Sequence, residues 1–375
     1  MRTWYRANVG GLPRTYWYLW TGMLINRLGG FAVLFLSLYL TSARGLSPTT
    51  AGLVVGAHGL GGAVGVLAGG VLADRWGRRS TLLTCHAAAA VLLFSLAFVT
   101  WLPLLAAITA LVGFAQQMAS PALVAAIVDV VPEPDRTRAF NLQFWAFNLG
   151  VAGASLLAGI VAEVSFTLLF TIDAAATLIA FLLLLLRVPE TGATRDPGRA
   201  QSGSLRTPLT DRTFLTFVGL TFVLAVLSMQ ASTILPLAMR ADGLRPSAYG
   251  LLGLGTGAVA VSDTVPAYLV AAAVWTVGQM LAAPPNAEII AELSPPALRG
   301  RYQGVFYLTF PAAGFVAPAV GGWGLQHLGD RFWALGGLTG VLAAAGHLLA
   351  APARERHLQR MLTESSRAYS TQESR

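Results

Sequence analysis

The sequence predicts an all-α integral membrane protein, on the strength of its composition, its apolar segments and the placement of its charges. Hydrophobic residues make up 55% of the 375 residues and charged residues only 11%, whereas soluble domains average roughly 25% charged residues. Apolar runs recur at about the 20 residues that a helix needs to cross a bilayer. The run 52–73 contains no charge, and the run 166–186 contains only Asp173. The chain is therefore predicted to cross the membrane many times.

The placement of the arginines predicts the topology. All 25 basic residues are arginines, and they cluster in alternate gaps between apolar runs. These clusters lie at 2–14, 75–79, 136–138, 187–212, 299–301 and from 354 onwards. Because basic residues accumulate in cytoplasmic loops, both termini are predicted to be cytoplasmic in a multi-pass protein of the bacterial plasma (inner) membrane. The net charge of +8 thus reflects topology, and no nucleic-acid partner is expected.

Each apolar run is interpreted as one helix. An N-terminal six-helix bundle, 1–187, is predicted to have spans at 15–41, 50–73, 80–100, 102–130, 140–162 and 166–187. Residues 188–212 are rich in Pro, Gly and Ser, which is typical of a linker, here a cytoplasmic one. A C-terminal bundle, 213–352, follows with spans at 213–238, 266–292, 302–327 and 332–351. The polar cytoplasmic tail, 353–375, is expected to be frayed or to lie on the membrane surface.

An internal repeat predicts that the two bundles are pseudo-symmetric. The segment that begins Gly45-Leu-Ser-Pro matches the one that begins Gly243-Leu-Arg-Pro, at an offset of 198 residues (from 45 to 243). Residues from Gln116 to Gly159 match those from Gln279 onwards at an offset of 163 (from 116 to 279). The second bundle is therefore predicted to be about 35 residues shorter, with most of two helices missing around 251–265.

The shortened interval constrains the topology. Its apolar part, 251–261, reaches only about 16 Å as a helix, roughly half the hydrocarbon thickness. Two crossings do not fit, and a single crossing would invert the last three spans against the charge bias. We expect a short helix or re-entrant turn here, which leaves a gap that faces lipid or is filled by a partner chain. Otherwise we expect a monomer.

The strongest motif is Gly70-Val-Leu-Ala-Asp74-Arg75-Trp-Gly77-Arg78-Arg79 at the end of the second span. It resembles the signature loop of the major facilitator superfamily, and the chain looks most like the drug:proton antiporter branch of bacteria. The resemblance implies a major facilitator fold, and a loop that latches the two halves together on the cytoplasmic side in the outward-open state. The gating residues are then predicted to be Gly70, Asp74, Arg75, Gly77, Arg78, Arg79 and, as an acidic partner of the arginines, Asp129.

Two further signatures of the family are degraded. Thr109 stands where the fourth span normally carries an arginine, and Ala154 replaces the proline of the fifth-span antiporter motif. The corresponding motif of the eleventh-span position is better preserved. It comprises Pro318, Gly321 and Gly322, predicted to pack helices. These departures leave the coupling mechanism open.

Polar residues inside the predicted spans are candidates for the substrate cavity, which the family builds from its first, fourth, seventh and tenth spans. Arg27, beside Asn26, is the leading candidate, because a charge in mid-membrane must face protein or a water-filled cavity; the alternative is a structural ion pair. Glu288 is the leading proton carrier, and Asp173 is interpreted as structural. Further hydrogen-bonding candidates, each equally explained as contacts between helices, are Gln116, Gln230, Gln279 and Asn286.

Three glycines, Gly61, Gly65 and Gly69, repeat every four residues along the second span. Such a stripe lets another backbone approach closely, and the eleventh span is the expected partner. No metal ligand spacing, cofactor motif or catalytic triad is recognised, so the protein is not expected to be an enzyme.

The predicted function is a secondary transporter that exports small hydrophobic or amphipathic molecules by alternating access, driven by protons. Two alternatives stay open. One is an uptake carrier of the same fold, and the other is a transport-inactive remnant or membrane scaffold.

Overall fold

The computed structural model describes residues 10–30, 32–191, 206–233, 305–329 and 331–373, together with the single positions 289, 293 and 302. Over these ranges the regular structure is entirely helical. The helices are α1 (Arg14–Leu28), α2 (Ala32–Leu38), α3 (Pro48–Arg75), α4 (Arg78–Leu96), α5 (Leu102–Val130), α6 (Arg136–Val164), α7 (Phe166–Arg187), α8 (Arg206–Thr210), α9 (Arg212–Thr233), α10 (Thr309–Leu328) and α11 (Arg331–Glu373). Among the described residues, eight helices are long and apolar enough to cross a membrane.

The helices match the predicted spans closely where both can be compared. Helices α3 to α7 correspond to the second to sixth spans, and α9, α10 and α11 to those predicted from 213, 302 and 332. The interval 251–265 lies outside the described residues, as do most of the predicted span 266–292 and the linker segment 192–205. The same holds for Gln279, Asn286 and Glu288.

Side-chain caps fix several helix starts. The Ser47 hydroxyl accepts a hydrogen bond from the Thr50 N–H, and Pro48 occupies the first turn of α3. Ser165 caps α7 in the same way. The Asp211 carboxylate accepts hydrogen bonds from the first N–H groups of α9. Each cap satisfies backbone donors that have no partner within the helix.

The first span is broken, which differs from the continuous helix expected over 15–41. Helix α1 ends at Leu28, and α2 begins at Ala32 and continues into a π-helical turn over Tyr39–Ala43. The Asp173 carboxylate of α7 accepts a hydrogen bond of 2.9 Å from the Ala32 N–H. A buried carboxylate thus replaces a carbonyl partner inside the span, where an unsatisfied N–H would be costly.

One end of the bundle carries the arginine loops and is called the arginine end. It includes Arg75–Arg79, Arg136 and Arg187, and the other end is called the distal end. The two halves of the chain contact each other at the distal end, where the first turns of α3 pack against α10. The Gln326 side-chain oxygen of α10 accepts hydrogen bonds there from the Thr49 N–H and hydroxyl. Trp333 of α11 packs on an apolar cluster of the first half, also at this end.

The C-terminal tail is helical, so of the two expectations, a frayed or a surface-lying segment, it does not match the frayed one. Helix α11 passes through Pro352 and remains helical to Glu373. At the arginine end, His357 of this helix lies 3.7 Å from the Asp211 carboxylate, which also accepts a hydrogen bond from the Tyr302 hydroxyl. Asp211 therefore joins the start of α9, the segment before α10 and the extension of α11.

Candidate substrate cavity and gating loop

A cavity of about 320 Å³ lies within the first half, in the part of the bundle nearer the arginine end. Helices α1, α4, α5, α6 and α7 all contribute to its wall. The polar side chains of the wall are Asn26, Arg27, His86, Gln116, Ser120 and Gln143. The aromatic ones are Phe140, Phe144 and Phe147 of α6. An apolar wall with a few convergent polar groups is typical of a small-molecule site.

Arg27 is positioned by close packing of α1 on α6. A Cβ atom on Gly150 would overlap the Arg27 side chain, so the absence of a side chain lets the two helices approach. The guanidinium lies 4.8 Å from the centroid of the Phe147 ring, in a cation–π contact. The structure thus brings the Arg27 side chain to the cavity wall.

Two amide-bearing candidates make defined contacts at or near the cavity. Asn26 donates a hydrogen bond of 3.1 Å to the Thr177 hydroxyl of α7, which ties α1 to that helix. The Gln116 side-chain oxygen lies 3.1 Å from His58 Nε2 on α3. Since an amide oxygen only accepts, His58 is the donor and Gln116 keeps its N–H groups as donors.

His86 adds a polar group that was not among the cavity candidates predicted from the sequence. Its Nδ1 lies 2.8 Å from the Leu82 carbonyl oxygen, which can only accept, so Nδ1 carries the proton. The neutral ring then has an acceptor at Nε2, and this nitrogen becomes a donor when the ring is protonated. The signal available in the sequence was a histidine on the face of the third span that also carries Leu82.

Asp173 is the buried acid of this region, with 1% of its surface exposed. It caps α2 and interacts electrostatically with Arg27. A charged group within a span needs a partner or a functional reason, and Asp173 lies next to the break in the first span.

The gating loop makes contacts within the first half. Arg78 Nε lies 2.9 Å from the Asp129 carboxylate at the end of α5. Arg79 donates hydrogen bonds to the carbonyl oxygens of Val188 (2.7 Å) and Leu185 (2.8 Å), after and within α7. Asp74 and Arg75 lie exposed at the C-terminal end of α3, and Gly70 one turn earlier.

Glu190 is a loop residue that sequence reasoning missed. Its Oε1 atom accepts hydrogen bonds from the N–H groups of Arg78 (2.9 Å) and Arg79 (3.2 Å), at the start of α4. Gly77 has a φ of +94°, and a Cβ atom there would contact the Glu190 carboxylate. The positive φ requires glycine. The available signal was an acid directly after the sixth span at an arginine-rich end.

The glycines of α3 pack on two different helices. Gly61, Gly65 and Gly69 face the backbone of α5, at Ala110, Phe114 and Met118, and not the eleventh span as expected. The contact with α10 is made by Gly52, Gly56 and Gly59 instead, against Pro318, Phe315 and Gly314. Gly322 packs on the Pro48 carbonyl, and Gly321 is buried in the same helix.

Two remaining candidates lie away from this cavity. Gln230 is buried in α9, and Thr109, at the position of the family's arginine, is buried in α5. Neither side chain belongs to the cavity wall.

Comparison with known proteins decides the family. The model of the Major Facilitator Superfamily matches residues 19–262, well over half of the chain. The chain belongs to the Major Facilitator Superfamily. It is 27% identical over 361 residues to the uncharacterized MFS-type transporter YttB of Bacillus subtilis (strain 168), over 85% of this chain and 90% of that protein.

Solved structures agree with the superfamily's fold. A bacterial homolog of the human lysosomal transporter Spinster, in an inward-facing and unoccupied conformation, superposes with a TM-score of 0.74 at 14% identity, over 92% of this chain and 99% of that one. A mutant of the nucleoside transporter NupG superposes with a TM-score of 0.73 at 15% identity, over 90% and 100%. The protein is therefore a multi-pass membrane transporter that moves a small molecule by alternating access. Members of this superfamily are transporters, not enzymes.

Proposed function

We propose that this transporter exports small hydrophobic or amphipathic molecules and that protons drive the export. One observation carries the proposal: the halves contact each other at the distal end, while a partly polar cavity lies toward the arginine end. This arrangement is expected of one of the two states of an alternating-access cycle. The resemblance of the chain to the drug:proton antiporter branch supports the direction of transport.

The proposed orientation places the arginine end, and with it both termini, in the cytoplasm of a bacterium. The arginines at this end follow the bias that sets membrane topology. In this orientation the cavity lies on the cytoplasmic side and the distal contact closes the path to the outside. The protein would then collect its substrate from the cytoplasm or the inner leaflet.

The loop is proposed to act as a gate. The ion pair of Arg78 with Asp129 and the hydrogen bonds of Glu190 fix the loop to the first half. A loop fixed in this way presents Asp74 and Arg75 at the arginine end. When the halves close there, these two residues would meet the second half and hold the outward-open state.

Proton coupling needs a titratable group within the membrane. Glu288 stays a candidate, although it lies outside the described residues. Asp173 is a second candidate, because it is buried beside the helix break and interacts with Arg27. Protonation would remove the negative charge of Asp173 and leave Arg27 without this counter-charge inside a span. Because Arg27 lies at the cavity wall, proton uptake would then affect the substrate cavity.

The second bundle is proposed to be shortened around 251–265, with the space filled by lipid or a partner chain. Labelling of a cysteine at position 300, in a background without Cys85, tests the proposed topology. Protection until the membrane is permeabilised supports it, and labelling from the outside refutes it.

An uptake carrier is the second candidate function, because Ala154 replaces the proline expected of an antiporter. Transport by purified protein in proteoliposomes separates the two. An imposed gradient with an acidic lumen should drive a fluorescent amphipathic compound into vesicles that carry the protein in inverted orientation. Accumulation that is indifferent to the pH gradient would refute proton-driven export.

A further inference from the structure

We infer that the substrate is an amphipathic organic anion, with a carboxylate as the group that Arg27 recognises. The inference rests on the proposed function, because it assigns the chemistry of the molecule that the cavity binds. It departs from the expectation of a cationic drug, and it follows from the groups that line the cavity.

The charge of the described wall has one sign. Arg27 carries a permanent positive charge. The described residues of the wall include no Asp or Glu. Asp173 balances part of the Arg27 charge, but it is buried behind the wall, and one of its oxygens is held by the Ala32 N–H. A cation would find no carboxylate in this part of the cavity.

Two hydrogen-bonding groups of the wall, Arg27 and Gln116, present N–H donors to the cavity. A guanidinium has five N–H donors and no acceptor. Because the Gln116 oxygen is engaged by His58, its amide offers N–H groups. A carboxylate can accept from both residues, and a planar guanidinium matches a carboxylate in a two-bond geometry.

The apolar part of the wall suits the remainder of such a molecule. Phe140, Phe144 and Phe147 lie along one helix, and Phe147 also contacts the guanidinium. An aromatic or alkyl body can pack on these rings while the acid reaches Arg27. A cavity of about 320 Å³ is at the lower end of the range for small-molecule sites, which fits a compact monoanion.

The test uses matched ligands that differ only in charge. Purified protein in nanodiscs is titrated with naphthylacetate, naphthylacetamide and naphthylethylamine, and with a decyl series of the same three head groups. Saturable binding is measured by equilibrium dialysis against empty nanodiscs. We expect each carboxylate to bind about tenfold more tightly than its amide and amine partners, as for a hydrogen bond to a charged group.

Variants assign the preference to the site. Arg27→Gln keeps amide donors and should reduce carboxylate binding to that of the amide, whereas Arg27→Lys should retain part of the preference. Gln116→Glu adds an acid to the wall and should reverse the preference toward the amine, which tests the inference even if Arg27→Gln fails to fold. Equal affinities across a series, tighter binding of the amine, or no saturable binding of any member would overturn the inference.

Transport of the same compounds separates this inference from the proposed function. Selective binding of the carboxylate without its movement into proteoliposomes supports the anion site and refutes export. If the amine is transported and the carboxylate neither binds nor is transported, the anion site is refuted and export still stands.

Discussion

Replacing Gly52 by alanine should open the distal end of the transporter. A Cβ atom on Gly52 would overlap the Pro318 carbonyl oxygen, with the carbonyl carbon within 2.9 Å and the Gly322 Cα within 3.3 Å. All three atoms are backbone, so no side chain can rotate away, and α3 must separate from α10. The state in which the halves are in contact here is therefore destabilised relative to the state in which they are apart.

The magnitude follows from the cost of overpacking, about 1–3 kcal/mol. Alanine also has a higher helix propensity than glycine. Because α3 is helical in both states, this stabilisation is the same in both and does not shift the equilibrium. A change of 1–3 kcal/mol shifts a two-state equilibrium by about 5- to 150-fold. The variant should spend a larger share of its time with the distal end apart than the wild type does.

Distances between spin labels measure this shift. Labels are placed through Trp101→Cys, at a position 66% exposed, and Arg331→Cys, one in each half at the distal end, in a Cys85→Ser background. We expect Gly52→Ala to increase the population of long distances. Gly219→Ala is the matched control, because a Cβ atom there has open space. Unchanged distances in Gly52→Ala would refute the packing argument.

Three further predictions concern other parts of the chain. Gly77→Ala should lower the free energy of unfolding by about 1–3 kcal/mol, because φ is +94° and Glu190 is in contact; a thermal melt with no shift would contradict this. Asp74→Asn should insert normally but transport poorly, since it removes a charge without changing shape; full transport activity would argue against the gate. The pKa of Tyr302 is raised from 10.0 to about 12, chiefly by burial and then by the Asp211 carboxylate. The neutral phenol therefore stabilises the fold below about pH 10, and this contribution is lost as the pH rises through 12. In thermal unfolding at stepped pH, the difference in melting temperature between the wild type and Tyr302→Phe should shrink between about pH 10 and 12. A constant difference would contradict the assignment.

The helices could be predicted because the length of an apolar run and the residues that start a helix are both local features of the sequence. The spans predicted at 102–130 and 166–187 match α5 and α7 to the residue, since a proline or serine fixes each start. The break in the first span was not predicted. The cap at this break comes from Asp173, which is distant along the chain.

The site was predictable in part. Arg27 drew attention because charge is costly in a membrane, and it does lie at a cavity wall. The helices that the glycines of α3 contact could be identified only from the structure. Gly52 and Gly61 are nine residues apart, which places them about 180° apart around a helix, so the stripe that the sequence displays and the stripe that contacts α10 are on opposite faces.

Alternating access is tested most directly by locking the distal end. Thr49 and Gln326 are in hydrogen-bond contact across the two halves, with 2.7 Å between their side-chain oxygens. In a Cys85→Ser background, Thr49→Cys and Gln326→Cys are joined by oxidation or a short bifunctional reagent, and transport into proteoliposomes is measured before and after. Cross-linking should stop transport, and reduction of the disulfide should restore it, while each single-cysteine variant stays active. Transport at the full rate through completely cross-linked protein would contradict alternating access at this contact.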